Sequence, residues 1–235
     1  MFANRFTAFV DACALAGALK RNLLLSLAEA EFFRVRWSTQ VLDETARSIE
    51  ESLAGKGVQD ARERALRARA AMEAAFDEAL VTDFGEFLSV RGGLPDPNDA
   101  HVLAAALKTQ AATIVTDNIK HFPETVLADL NIEARPTDAF LADTIALDPG
   151  RAVAAIARMR ARFKKPEMTA DALLLEMEAK GLLETADLLR PYAQALQCPD
   201  RSELRRSGSA CAGPAGSRAG DAYARVTSAQ QSSVS

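Results

Sequence analysis

Short apolar runs that end at an acidic residue alternate with helical segments in the first half of the chain. FTAFV, residues 6–10, is apolar, and Asp11 follows it directly. ATIVT, residues 112–116, is β-branched and precedes Asp117 and Asn118. Runs of this length and composition are typical of strands buried in a parallel sheet. The pattern predicts an α/β fold with polar side chains where two strands end.

Helical periodicity follows the first run. The segment 12–33 is predicted as one helix that begins at Asp11. Ser38 or Thr39 is predicted to cap a second helix with an apolar face. That face carries Leu42, Ala46 and Ile49. On this helix Asp43 and Glu44 are equally available carboxylates on spacing alone.

A third helix, AHVLAAALKTQ, begins after a stretch interrupted by two prolines. Asp96, Asn98 and Asp99 offer capping oxygens there, so Asp99 is predicted at or beside the helix N-terminus. Asp96 precedes Pro97 and is expected to set the turn. Ligands of open α/β sheets bind beyond the carboxyl ends of the strands. Asp99 and Asp117 are therefore expected to meet in one cleft that attracts a cation.

The character of the chain changes after residue 140. Residues 148–196 have a helical pattern, with a break at Pro166, a cap at Thr169 and a separation at Gly181. The predicted apolar core of this unit is Leu173, Leu174, Met177, Leu182, Leu183 and Leu188. The chain is thus divided into a first domain at 1–140, a helical domain at 141–197 and a last segment at 198–235. That segment is rich in Ser, Gly, Ala and Arg, which predicts a disordered tail, or a frameshifted or vector-derived end.

Composition narrows the functional classes. The chain has 235 residues, 49% of them hydrophobic, with a net charge of −4. Since nonspecific nucleic-acid binders rely on positive charge, the balance argues against that class. No apolar run reaches the roughly 18 residues that span a membrane, which makes the cytoplasm the expected location. Three cysteines without metal-site spacing indicate neither a zinc site nor a disulfide framework, and Cys13 is expected to be a buried apolar filler.

Residues 6–140 resemble the PIN domain, a family of metal-dependent nucleases that includes the toxins of VapC-type toxin–antitoxin pairs. The resemblance depends most on NDAHVLAAAL and ATIVTDNIKHF. These look like the family's Asp-Ala-x-x-x-Ala-Ala-x-Ala helix and its Thr-x-Asn/Asp-x-x-x-Phe strand end. The helices after residue 140 weakly resemble an extension found in larger VapC-type members. The resemblance implies a three-layer α/β/α domain with a mainly parallel central sheet.

The resemblance also implies a set of site residues. The family's first three acids match Asp11, Glu44 and Asp99, and its fourth position falls on Asn118 with Asp117 beside it. Asp11, Glu44, Asp99 and Asp117 are accordingly the expected catalytic residues. The expected metal ligands are Asp11, Asp99, Asp117 and Asn118.

The implied activity is hydrolysis of RNA phosphodiester bonds with Mg²⁺ or Mn²⁺, which prefer oxygen ligands. The implied partners are an RNA substrate, an antitoxin protein and a second copy in a homodimer, with no membrane. One departure stands out: many relatives have a hydroxyl or amide side chain after the first acid, where this chain has Ala12 and Cys13. That departure predicts weaker support for the Asp11 carboxylate.

Two other functions are compatible with the sequence. One is a catalytically inactive PIN-like RNA-binding or scaffold protein, favoured by the departure after Asp11 and by Asn118. The other is a HAD-like phosphohydrolase, suggested by an acid at the end of the first strand. That class has a second Asp two residues later, and this chain has Cys13 there. Arg62, Arg64, Arg67 and Arg69 lie on one predicted helix and are either a solvated face or contacts for an RNA backbone.

Overall fold

The computed structural model describes residues 6–91, 93–164 and 167–197. The predicted tail at 198–235 therefore lies outside the described residues. The described part contains a five-stranded sheet in which every pairing is parallel. Its strands are β1 (Thr7–Val10), β2 (Arg34–Ser38), β3 (Leu80–Val81), β4 (Thr113–Val115) and β5 (Glu133–Arg135).

The order of the strands creates a switch point at the centre of the sheet. The spatial order is β3-β2-β1-β4-β5, so the chain leaves β1 toward one edge and later returns to pair β4 on the other side. The backbone N–H of Asp11 donates to the carbonyl of Val115 at 3.0 Å, which continues this central pairing past the end of β1. Ligands of parallel sheets bind where the strand order reverses. The carboxyl ends of β1 and β4 therefore mark the candidate cleft.

Helices cover the sheet and complete a three-layer α/β/α arrangement. The described α-helices are α1 (Ala12–Ala16), α2 (Ala18–Glu29), α3 (Thr39–Ala54), α4 (Ala61–Ala75), α5 (Ala100–Lys108), α6 (Glu124–Leu127), α7 (Thr137–Leu147), α8 (Pro149–Ala161), α9 (Ala170–Ala179), α10 (Leu183–Leu189) and α11 (Ala193–Gln197). Short 3₁₀ turns at Pro97–Asp99 and Ile119–His121 carry residues of the candidate site. The predicted fold class is confirmed.

The segment 12–33 departs from its predicted form. It is not one helix, because α1 ends at Gly17 and α2 begins immediately afterwards. The buried guanidinium of Arg21 donates to the carbonyls of Leu15 and Ala16, which the early end of α1 leaves without helical partners. The chain then enters β2, a strand that the helical pattern did not predict.

One apolar core extends from the sheet into the C-terminal helices. The rings of Phe6, Phe33 and Phe140 contact one another with centroids 5.0–6.1 Å apart, joining the starts of β1 and β2 to α7. The same core cluster includes residues of α8, α9, α10 and α11. The predicted domain boundary between residues 140 and 141 falls inside α7. The division into domains stays a prediction.

In the C-terminal helices, most of the predicted capping residues and core residues are found in their predicted roles. The Thr169 hydroxyl accepts the Ala172 N–H at the start of α9, as predicted. Gly181, with a φ of +76°, ends that helix in the left-handed region that glycine tolerates. Leu183 was predicted in the core, but it is 57% exposed because it begins α10 on the solvent side. The buried Arg160 donates to the carbonyls of Leu196, Gln197 and Met168, which joins α8 to the end of α11.

Within the described residues, none of the helices combines the length and the apolar composition that crossing a bilayer requires.

Candidate active site

Asp11 lies at the end of β1 and caps α1. Its carboxylate accepts the Ala12 N–H at 2.7 Å through Oδ1 and the Thr116 hydroxyl at 2.7 Å through Oδ2. The residue is only 5% exposed. Because a buried carboxylate needs compensating donors, the backbone of α1 and the end of β4 together hold Asp11 in one orientation.

Cys13 belongs to the same hydrogen-bond network. Its sulfur lies 3.2 Å from Asp11 Oδ2 and 3.3 Å from the Thr116 hydroxyl, and it accepts the Asp117 N–H at 3.2 Å. The interpretation of Cys13 as an apolar filler is therefore wrong. Burial, with the nearby charge of Asp11, raises the pKa of the Cys13 thiol from 9.0 to about 12. The protonated thiol can donate to the carboxylate, so support for Asp11 comes from Cys13 and from Thr116 across the sheet.

Asp99 lies at the end of the 3₁₀ turn that leads into α5. Its side chain does not cap the helix; Oδ2 instead meets Nδ1 of His121 at 2.8 Å. Asp96 sets the turn as predicted, with its carboxylate accepting the Asn98 N–H at 2.9 Å. Burial raises the pKa of the Asp99 carboxyl above its usual value, and the charges of Asp11 and Asp96 act in the same direction. Asp99 therefore lies within electrostatic reach of Asp11.

Glu44 is presented by α3, whose N-terminus is capped by Ser38. The buried Ser38 hydroxyl accepts the Val41 N–H at 3.2 Å, so Ser38 and not Thr39 is the cap. The Glu44 carboxylate meets Nε2 of His101, on α5, at 3.2 Å. The neighbouring carboxylate of Asp43 pairs instead with Arg69 on α4. Sequence spacing alone left Asp43 and Glu44 equivalent, and these contacts distinguish them. Glu44 contacts α5, the helix that follows Asp99, whereas Asp43 contacts α4.

Asp117 follows β4 by two residues and faces two donors. Lys20 Nζ lies 2.7 Å from Oδ2, and the backbone N–H of Thr137 donates to Oδ1 at 3.0 Å. Burial raises the pKa of the Asp117 carboxyl, but the hydrogen bonds from Lys20 and Thr137 outweigh it and hold the pKa below the usual value. Asn118 donates its backbone N–H to the Thr116 hydroxyl at 3.1 Å, and its side chain is exposed.

His121 is the site residue that the sequence did not single out. Its neighbour Phe122 is 1% exposed and anchors the loop in the core. The 3₁₀ turn after β4 nevertheless returns the His121 ring to Asp99. The sequence does place His121 in the loop that follows the carboxyl end of β4, two residues before Pro123, which is where site residues are expected. The contact itself could not be predicted, because His121 and Asp99 are 22 residues apart in the sequence and no local pattern links them.

The donor set around Asp99 fits a divalent cation. Ligand atoms of Asp96, Asp99 and His121 all lie within 4.8 Å of one another. Carboxylate oxygens with one imidazole nitrogen are ordinary ligands for divalent ions. A cation there would also relieve the mutual repulsion that contributes to the raised pKa of Asp99.

The arginines of α4 are largely occupied by acids. Arg64 pairs with Asp60, and Arg69 pairs with Asp43 and Glu73. Arg67 lies near Asp60 and Glu63, which leaves Arg62 exposed without an ion pair among the described residues. These contacts agree with a solvated helix face.

Comparisons with known proteins match two separate stretches of the chain. A model described as "PIN domain" matches residues 7–120, and one described as "VapC50 C-terminal domain" matches residues 137–191. A protein named "Putative ribonuclease VapC50", from Mycobacterium tuberculosis strain ATCC 25618 / H37Rv, is 41% identical over 76 residues. That match covers 32% of this chain and 45% of the relative, less than half of its length. No solved structure shows a significant match. Residues 7–120 therefore match the PIN domain family, and residues 137–191 match a C-terminal domain of the VapC50 type.

Proposed function

We propose that this protein is a metal-dependent endoribonuclease and the toxin of a toxin–antitoxin pair. The observation that carries the proposal is the cluster of donor atoms from Asp96, Asp99 and His121, all within 4.8 Å of one another, in a chain whose residues 7–120 match a PIN domain. A relative named as a ribonuclease, of which the chain matches 45%, supports the substrate class. RNA is thus the proposed substrate, and the cytoplasm the proposed location.

The proposed metal is Mg²⁺ or Mn²⁺. Asp11 and Asp99 would bind it, and Asp96 and His121 have donor atoms close enough to Asp99 to take part. Asp117 and Asn118 remain candidate ligands from the sequence. The ion pair of Asp117 with Lys20, at 2.7 Å, favours a role for Asp117 in holding Lys20 at the rim. Lys20 would there meet a phosphate of the RNA backbone.

The chemistry of such a site needs no histidine base. A bound divalent ion supplies Lewis acidity and stabilises the charge that develops on the phosphodiester oxygens. Asp11 and Asp99 would hold such an ion at the candidate cleft. Glu44 orients the attacking water and accepts its proton as the new P–O bond forms. The P–O bond to one ribose oxygen breaks, and that oxygen takes a proton from solvent. Lys20 balances negative charge at the rim.

The proposed macromolecular partners follow from the toxin role. An antitoxin would cover the acidic cleft, and a second copy of the chain would form a homodimer. Family membership supports both proposals. Co-purification of the chain with the product of a neighbouring gene tests the antitoxin, and light scattering tests the dimer.

RNA cleavage by matched variants tests the activity. Wild type, Asp99→Asn and Asp129→Asn are incubated with a mixed tRNA pool in Mg²⁺, in Mn²⁺ and in EDTA. Asp129 is an exposed acid on the turn before β5 and serves as the matched control. Discrete cuts by wild type and Asp129→Asn that vanish in EDTA and in Asp99→Asn are expected. Metal-independent RNA binding without cleavage would instead establish the RNA-binding scaffold.

A further inference from the structure

His101 and Glu44 form a contact that the proposed reaction does not by itself require. They lie on α5 and α3, 57 residues apart, with Nε2 of His101 3.2 Å from Oε1 of Glu44. The His101 side chain is 13% exposed, whereas the Glu44 side chain is 41% exposed. A mostly enclosed ring in the first turn of α5 therefore meets a partly exposed carboxylate on α3.

The surroundings of Nδ1, the other ring nitrogen of His101, determine which tautomer of the ring is favoured. Nδ1 of His101 is buried and has no hydrogen-bond partner among the described residues. A proton there would leave an N–H group buried without an acceptor, which is unfavourable. The tautomer that avoids this cost carries its proton on Nε2. His101 then donates to Glu44 and cannot accept from it.

The Glu44 carboxylate needs a hydrogen-bond donor such as His101 if the carboxylate must keep one orientation. A partly exposed glutamate on a helix samples several rotamers, and holding one of them costs side-chain entropy. Its other oxygen has no hydrogen-bond partner within the described part of the chain. A bond from His101 to Oε1 restrains the carboxylate and leaves Oε2 available to accept a hydrogen bond from a water molecule.

We propose that His101 is a positioning residue that fixes the Glu44 carboxylate for its role toward the attacking water. This inference rests on the proposed nuclease function, because Glu44 has a task only if RNA is cleaved. His101 acts through Glu44 and does not touch the substrate. The backbone supports the arrangement, since His101 lies two residues after Asp99 and α5 therefore carries both the Asp99 ligand and the Glu44 holder.

Nitrogen NMR tests the contact without any activity. The chain has two histidines, so ¹⁵N long-range spectra of wild type and His121→Asn assign His101 directly. The expected result is a neutral Nε2–H tautomer for His101, with an Nε2 resonance that shifts in Glu44→Ala and stays in place in Asp43→Ala. A Nδ1–H tautomer, or no response to Glu44→Ala, would overturn the proposal even if the protein cleaves RNA.

Kinetics test the consequence. His101→Leu keeps the ring's approximate volume without a donor, and His101→Gln offers an amide N–H near the position of Nε2. We expect His101→Leu to lower kcat about 10-fold with KM within about 2-fold, and His101→Gln to recover part of the loss. In a Glu44→Ala background, His101→Leu should cause no further loss.

The control separates positioning from folding. Thermal melting of the His101 variants should lie within a few degrees of wild type. Additive losses in the double variant, or losses that track a lower Tm, would show that His101 is merely structural. If wild type does not cleave RNA at all, the proposed function fails, whereas the NMR result still decides whether His101 holds Glu44.

Discussion

At the scale of single residues, the candidate site depends on side chains that hold its acids in place. Asp11 is held by Thr116 and Cys13, Asp99 by His121, and Glu44 by His101. Each acid thus has one fixed oxygen or more before any ligand binds. Preorganised carboxylates of this kind lower the cost of assembling a metal site.

The position of Asp11 could be predicted from the sequence, but its support could not. An acid directly after a buried strand is a strong local signal, and the same holds for Asp99 before a run of helix formers. Thr116 lies 105 residues from Asp11, and no local pattern links the two. The sequence therefore indicated a poorly supported carboxylate where the fold supplies a hydroxyl from the neighbouring strand.

Cys13 should react slowly with alkylating reagents. Its pKa, raised from 9.0 to about 12, lowers the thiolate fraction at pH 8, and the thiolate is the reactive species. In a Cys198→Ser/Cys211→Ser variant, where Cys13 is the remaining thiol, we expect alkylation by iodoacetamide at least about 100-fold slower in folded protein than in urea. Mass spectrometry measures the rate. Equal rates in the two conditions would contradict the buried network around Cys13.

His121 should contribute to metal binding. Removing a residue that binds the metal or orients a ligand usually weakens affinity about 10-fold to 100-fold. We expect His121→Ala to weaken Mn²⁺ binding by about 10-fold, as measured by electron paramagnetic resonance of free Mn²⁺. Lys120→Ala, an exposed change on the same turn, is the control and should leave binding unaltered. Unchanged affinity in His121→Ala would remove His121 from the proposed site.

At the scale of elements, caps and strand lengths explain which parts of the fold the sequence revealed. Helices α3, α5 and α9 begin close to their predicted starts, since Ser38, Asp99 and Thr169 are strong N-terminal signals. Strand β3 has two residues, and β5 reads Glu-Ala-Arg. Strands so short or so polar show no alternation of apolar and polar residues. Their position at the sheet edges could therefore be seen only from the strand pairing in the structure.

Ser38 should stabilise the helix that presents Glu44. Losing an N-cap hydroxyl costs about 1 kcal/mol, and here it also leaves the Val41 N–H without its acceptor. We expect Ser38→Ala to lower the free energy of unfolding by about 1–2 kcal/mol in urea titrations. Ser48→Ala is the matched control, because Ser48 lies on an exposed face of the same helix. Equal stability of both variants would be inconsistent with the cap.

At the scale of the whole molecule, Asp117 joins the candidate site to the C-terminal helices. Its carboxylate bonds Lys20 of α2 on one side and the first backbone N–H of α7 on the other. One residue further, Asp138 accepts the N–H groups of Glu184 and Thr185 and so caps α10. The start of α7 is thus bonded both to the site and to the helical unit. Local sequence patterns predicted two units but not this connection.

Asp117 should stabilise the fold in its charged form. Because its folded pKa is below the ordinary 3.8, its contribution is present above that value and is lost as pH falls through the folded pKa. Asp117→Asn keeps an acceptor for the Thr137 N–H but loses the pair with Lys20. Since a third of the side chain is exposed, we expect a loss of only about 0.5 kcal/mol at pH 7.

Urea titrations at a series of pH values check this expectation. The difference between wild type and Asp117→Asn should shrink toward zero as the solution is acidified below pH 4. Asp129→Asn should match wild type throughout. A difference that grows in acid would have the opposite sign to the one that a depressed pKa requires.

The central pairing of β1 with β4 also sets the order in which the protein is made. Asp11 leaves the ribosome early, but the side chains that complete its surroundings, from Thr116 to His121, are translated more than 100 residues later. Until β4 is synthesised and pairs with β1, a nascent chain holds Asp11 without Thr116, and Asp99 without His121. Any chemistry of this cleft therefore begins only after the residues from Asp11 to His121 have all been released.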